Sequence, residues 1–309
     1  MPLLVPKQCV HLLLLSLLIS GTTHGHDTLA TTRPSADGQQ ELRKISGIFD
    51  TDLPKTEKKG SVRIIVHPHM GDFTRRNYLR LPLGVRWGVN NHVEVTATIE
   101  PYIQHGLRRG SPGNDIGNVQ FGGKYVYKNW LQTDYDASVG LSVRLPVGAP
   151  PLDMTDGYNH YTPFLVLSHP SRYTPGLKYF FSGTADLMAK SSVAGSFRKN
   201  DAHSSSLILG TGFVLDRFPY HYTLETGLQT TSLIGRDNQH YVFVKPGFAW
   251  DLPRKLTFNS HGRWLFGLSV KITQGPDGTR IDSGGKIRGD FSLSRWWRGK
   301  REASAAAAK

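Results

Sequence analysis

From Val62 to Trp297 the chain alternates apolar and polar residues with a period of two, and no competing helical period interrupts that span. Successive strand side chains point to opposite faces, so each such run is a strand with one apolar and one polar face. The run "YLRLPLGVRWGVNNHVEVTATIEPYI", residues 78–103, shows the pattern most clearly. Leu79, Leu81, Leu83, Val85 and Trp87 share one parity, and Arg80, Pro82, Gly84, Arg86 and Gly88 share the other. After "VNN", Val93, Val95, Ala97, Ile99 and Ile103 oppose His92, Glu94, Thr96, Thr98 and Glu100. Asn tolerates positive φ, so the two runs read as an antiparallel hairpin. Pairing Gly88 with His92 sets Arg86 opposite Glu94, Arg80 opposite Glu100 and Trp87 opposite Val93. Such cross-strand pairs contribute roughly 0.2–1 kcal/mol each, and a one-residue slip would turn every apolar side chain to the charged face.

Similar runs cover 118–128, 135–145, 177–187, 206–215, 220–229, 263–272 and 286–297. Phe180, Ile208 and Val214 break the parity of their runs. Tyr158 to Leu167 and Tyr241 to Trp250 are weaker strands, with apolar residues on both faces. With Val62 to Pro68 as the first, the count reaches about twelve. A soluble sandwich or lipocalin-like barrel would show the same local alternation. Connection length separates the readings. Short links such as "VNN", "NWLQT", "DRFP" and "DLPRK" alternate with longer ones such as "HGLRRGSPGND", "GAPPLDMTDG" and "AKSSVAGSFRKNDAH". That is the layout of an up-and-down transmembrane barrel, and a Greek-key sandwich has no reason to show it. Trp87, Tyr127, Trp130, Tyr135, Tyr220, Trp250 and Trp297 fall beside the short links, where an interfacial girdle sits.

The fold expected is therefore all-β: a transmembrane up-and-down antiparallel β-barrel of about twelve strands over residues 61–297. The apolar face meets lipid and the polar face the lumen. A mean hydropathy of −0.33 fits this arrangement and not a helical membrane protein. One long apolar run exists, "VHLLLLSLLIS" at 10–20, after Lys7 and before the small and polar "GTTHGH". It is too short for a membrane helix and reads as a signal peptide over 1–25. Cys9 is the single cysteine and precedes that run, so no disulfide staples the exported chain. Residues 26–60 read as an extended or disordered periplasmic lead-in, and 298–309 as a solvated tail. The 37 Lys and Arg outnumber the 24 Asp and Glu, but they are scattered along strands. Export and that scatter speak against nucleic acid as a partner.

At "NDIGNVQFGGKYVY", residues 114–127, the chain resembles the MetA-pathway phenol-degradation family of outer-membrane β-barrel proteins, whose members carry a Gly-Asp-Val-x-Leu-Gly-x-Lys-Tyr-like strand. Asn118 stands where that pattern has Asp. "SVGLSVRLPVG", residues 138–148, is similar to the family as well. The resemblance spans roughly 60–297 and implies a porin-like, outer-membrane transporter for small, aromatic or hydrophobic molecules. Outer-membrane lipid, a small solute and the barrel-assembly machinery are then the partners.

The polar face supplies the candidate lumen residues: Arg80, Arg86, Glu94, Glu100, Lys124, Arg144, Lys178, Asp186, Glu225, Lys245, Arg263 and Lys271. A cationic lumen in a low-dielectric wall favours anionic or polar-aromatic solutes. Cross-strand pairing of the same residues would instead brace a narrow bore. His67 and His69 share a face but lack the further ligands of a metal site, so no metal or cofactor is expected. "AHSSS" with Asp201 and His203, and His261 in "NSHGR", raise a barrel hydrolase of lipase or protease type as an alternative. A structural, adhesin-like barrel whose long loops bind a partner is the third reading.

Overall fold

A computed structural model of the protein describes residues 42, 44–45, 47–69, 72–107, 114–151, 154–193, 205–231, 238–257, 260 and 262–293, with backbone only for 74 and 75. The signal peptide with Cys9, Asp201, His203, His261, Trp297 and the tail after it lie outside the described residues. Thirteen strands form one antiparallel sheet: β1 (Val62–Val66), β2 (Tyr78–Arg80), β3 (Leu83–Gly88), β4 (Val93–Gln104), β5 (Asp115–Tyr127), β6 (Asp136–Pro146), β7 (Tyr158–Pro170), β8 (Leu177–Lys190), β9 (Ser206–Arg217), β10 (Tyr220–Thr231), β11 (Gln239–Asp251), β12 (Arg263–Gly275) and β13 (Gly278–Ser292). A single helical turn, α1 (Asp72–Arg75), sits between β1 and β2. Both β2 and β3 pair with β4 and are parted at Pro82, which has no N–H for the ladder. Counted as one stave they make a barrel of twelve.

The sheet closes on itself. β13 pairs with β1, β1 with β3, β3 with β4 and β4 with β5, from which neighbour follows neighbour back to β13. Among the described residues every strand but the short β2 pairs on both sides, as a bilayer demands. Outside, Val85, Trp87, Val95, Ile99, Phe121, Val139, Leu141, Leu165, Leu209 and Leu268 are exposed, while Glu94, Lys124, Glu225, Lys245, Arg288 and Asp290 are buried inside. That is the inverse of a water-soluble protein. An apolar band of this extent around a charged lumen is stable only against lipid, so the fold is a membrane-spanning β-barrel. Trp87, Tyr127, Trp130, Tyr135 and Tyr220 stand exposed by the short turns, as the girdle requires.

Two connections depart from the expected alternation. β12 and β13 run on into a tight turn in which Gly275 pairs with Gly278, so the long link after β12 is absent. The link between β11 and β12 takes up 252–262 and holds a 3₁₀ turn at Arg254–Thr257. The first hairpin keeps its faces but shifts its register by two: Gly88 pairs with Glu94, Trp87 with Val95 and Arg86 with Thr96. A longer turn, closed by Asn90 accepting from the His92 and Val93 amides, accounts for the shift. An even shift preserves which side chains face inward.

The larger departure concerns the lead-in. Residues expected to extend below the barrel instead enter its lumen: Leu42, Ile45, Ile48, Phe49 and Leu53 are buried against Val166, Phe180, Val214, Ala249 and Leu265 on the inner wall. Phe49 meets the Phe180 ring edge-on at 5.7 Å. The chain reverses at Gly47, φ +85°, where Ile45 and Phe49 exchange backbone hydrogen bonds. It leaves past Gly88, where an added Cβ would lie 2.5 Å from the Glu57 carbonyl oxygen. The parity breaks at Phe180 and Val214 are thus the apolar floor on which this segment rests.

Candidate solute pathway and its internal segment

Strand parity aims a column of charges into the lumen, and the 42–57 segment meets most of them. Glu225 and Lys245 are cross-strand partners on β10 and β11. Glu225 accepts from the Asp50 and Thr51 amides, at 3.1 and 2.9 Å, and from the Thr51 hydroxyl at 2.7 Å. Lys245 holds the Asp50 carboxylate and lies 3.6 Å from Glu225. On the far wall Lys124 donates to Asp52 at 3.0 Å, and Arg86 lies 3.6 Å from both Asp52 and Glu94. Glu94 accepts from the Glu57 amide at 2.7 Å. Ser269 donates to the Gly47 carbonyl at 2.8 Å, and Arg288 to the Lys44 carbonyl. A segment tied to β4, β5, β10, β11, β12 and β13 at once crosses the lumen from one wall to the other.

The remaining candidates fall into separate groups. Arg80 pairs with Tyr102 in the ladder and bonds the Asp72 carboxylate at 2.9 and 3.0 Å, so the expected Arg80–Glu100 pair does not form. Burial alone would raise the Asp72 carboxyl, but the Arg80 side chain and amide hold it below the usual carboxylate range. Glu100 accepts from Asn118 at 2.9 Å. Asp186 lies 3.0 Å from His160, whose other ring nitrogen is 2.8 Å from Asp156, with Arg144 3.9 Å from that carboxylate. Arg263 bonds Asp251, which also meets His221; that imidazole sits between Asp216 at 2.6 Å and Asp251 at 2.8 Å. Lys271 rests over the Phe243 ring at 4.8 Å, and Lys178 shares the inward parity of Phe180. His67 and His69 lie with ring centroids 5.6 Å apart, and among the described residues no group of three ligating side chains gathers around a metal position.

Asp50, Asp52 and the apolar side chains of the segment escaped the sequence reading, as did His160 and Asp251, whereas Arg288 and His221 have the polar-face parity of their strands. The traceable signal was twofold: Leu42, Ile45, Ile48, Phe49 and Leu53 inside a polar stretch, and parity breaks on the strands that receive them.

No protein-family model matches the chain, and no curated protein does. Among solved structures it is similar in shape to a KdgM porin, with a TM-score of 0.39, 11% identity, and 75% of this chain and 97% of that one covered. A KdgM porin in complex with disordered oligogalacturonate gives 0.37 and 13%, over 75% and 97%. The COG4313 outer membrane channel from Pseudomonas putida F1 gives 0.44 and 8%, over 79% and 99%. The fold and lumen define the class: a membrane-spanning β-barrel of twelve staves with a segment of its own chain inside.

Proposed function

We propose that the chain is an outer-membrane channel for small anionic or aromatic molecules, gated by residues 42–57, which close it while seated against the wall and open it each time they leave. The observation that carries this reading is the closed barrel whose charged lumen is met by a segment joined to β1 through only a few residues. A wall needs no such lining to span a bilayer, whereas a pore needs a stop. The likeness of residues 114–127 to the MetA-pathway phenol-degradation family supports a small-molecule solute. The alternative of a barrel hydrolase meets a chemical obstacle. In the Asp156–His160–Asp186 cluster both imidazole nitrogens already face carboxylates, leaving none to take a proton from a nucleophile; Asp201, His203 and His261, on which that alternative rests, lie outside the described residues.

The test is a reversible clamp. A Cβ built at Gly267 falls 3.5 Å from the Ile48 Cβ, within the span of about 3.5–4.5 Å that a disulfide bridges. The Ile48→Cys/Gly267→Cys pair in planar bilayers should be silent when oxidised and conduct when reduced, and each single variant should ignore the redox state. Equal conductance in both states would remove the gate, and no conductance in either would remove the channel.

A further inference from the structure

Between the internal segment and the wall of β1, β3, β4, β5, β6 and β13 lies a cavity of about 400 Å³. Its cations are Lys44, Arg80, Arg86, Arg144, Lys286 and Arg288, against the carboxylates of Asp52 and Glu100. Partner accounting separates them. Arg80 is taken by Asp72, Arg86 by Asp52 and Glu94, and Arg288 by Asp290 at 2.6 Å. Lys286 makes no hydrogen bond or ion pair among the described residues, and Asp50 and Glu100 reach it only through space. Asp50 is already held by Lys245, and Glu100 by Asn118.

Beside Lys286 stand His67 and His69, both within reach of its charge. His67 is 9% exposed, and its Nε2 is buried without a hydrogen-bond partner. A buried polar atom left unpaired costs about 1–3 kcal/mol, so the position invites a hydrogen-bond partner that the described residues do not supply. Ile65, Pro82 and Met154 give the same cavity apolar wall. An inorganic anion would leave most of the volume unfilled, since sites of about 300–1,000 Å³ suit organic ligands.

We propose that this cavity is a binding site for one small organic carboxylate, its head taken by Lys286 and His67 and its carbon body lying against Pro82 and Met154. The proposal rests on the channel reading by naming the solute class and the place where it pauses. A site of this kind selects by charge, because an amide of equal shape offers Lys286 no counter-charge.

Titration calorimetry on the full-length chain refolded in detergent tests it, with benzoate, benzamide and inorganic phosphate as probes. Benzoate should bind, with benzamide and phosphate each weaker by about tenfold or more, the worth of one charge-assisted hydrogen bond. Lys286→Met should cost benzoate about tenfold and Lys286→Arg much less, since either cation can pair a carboxylate. Heat-modifiable gel migration checks that each variant is folded. No benzoate binding, equal binding of benzamide or phosphate, or unchanged affinity in folded Lys286→Met would overturn the site. Liposome swelling is read separately: binding without flux would leave the site and remove the channel, and flux without binding would do the reverse.

Discussion

At the scale of single residues, a charge in the lumen matters according to what already neutralises it. Arg86 and Arg144 look alike in sequence, yet Arg86 faces two carboxylates at 3.6 Å while Arg144 approaches one at 3.9 Å. The Asp72–Arg80 contact beside α1 gives a residue-scale test. Asp72 accepts the Arg80 amide at 3.0 Å, and its carboxyl titrates below its ordinary value of 3.8. A depressed carboxylate contributes stability that is whole above the unfolded value and fades as pH falls through the folded one. The Arg80 amide should therefore keep its hydrogen-exchange protection at neutral and mildly acidic pH and lose it only below pH 3.8. Asp72→Asn should remove that acid step; an acid step that persists in the variant would assign it to another group.

At the scale of elements, the internal segment and the staves are held by different forces. The staves have long hydrogen-bond ladders, interrupted at Pro101, Pro163 and Pro246, whereas the segment has one bridge, a few charged contacts and five buried apolar side chains. Phe49→Ala should cost about 3–5 kcal/mol, the usual range for a buried phenylalanine. That loss falls on the segment, because among the described residues Phe49 shares backbone hydrogen bonds only with Ile45. Conductance in planar bilayers should rise while the unboiled gel mobility stays that of the parent. A variant that conducts no more than the parent would show that the ion pairs around Glu225 and Lys124 suffice to hold the segment.

At the scale of the whole molecule, a closed ladder around a polar lumen has no partial form of comparable stability. Opening one seam exposes two strand edges to lipid, where each unsatisfied backbone group costs several kcal/mol. The chain should refold only with detergent or lipid, show sheet-dominated circular dichroism, and migrate differently on gels before and after boiling. A water-soluble monomer without that shift would contradict the outward apolar band. The disulfide clamp at Ile48 and Gly267 belongs to this scale too, since it joins an element to the wall without touching the ladder.

The sequence by itself determined the barrel and the inward aim of its charges. Strand parity is a local rule: Arg86, Glu94, Lys124, Glu225 and Lys245 point to the lumen because of their immediate neighbours, and an even register shift leaves that unchanged. The connection lengths carried the up-and-down topology despite the exceptions around β12. What only the tertiary structure decided was where residues 42–57 go and which lumen charges they occupy. The Leu42 amide bonds Asp216 across 174 positions, and the Arg288 side chain bonds the Lys44 carbonyl across 244. Neither contact has a period or a spacing to betray it, because closing the barrel is what brings those residues together. Phe180 and Val214 were visible in advance as exceptions, and the apolar segment that explains them lay more than a hundred residues away.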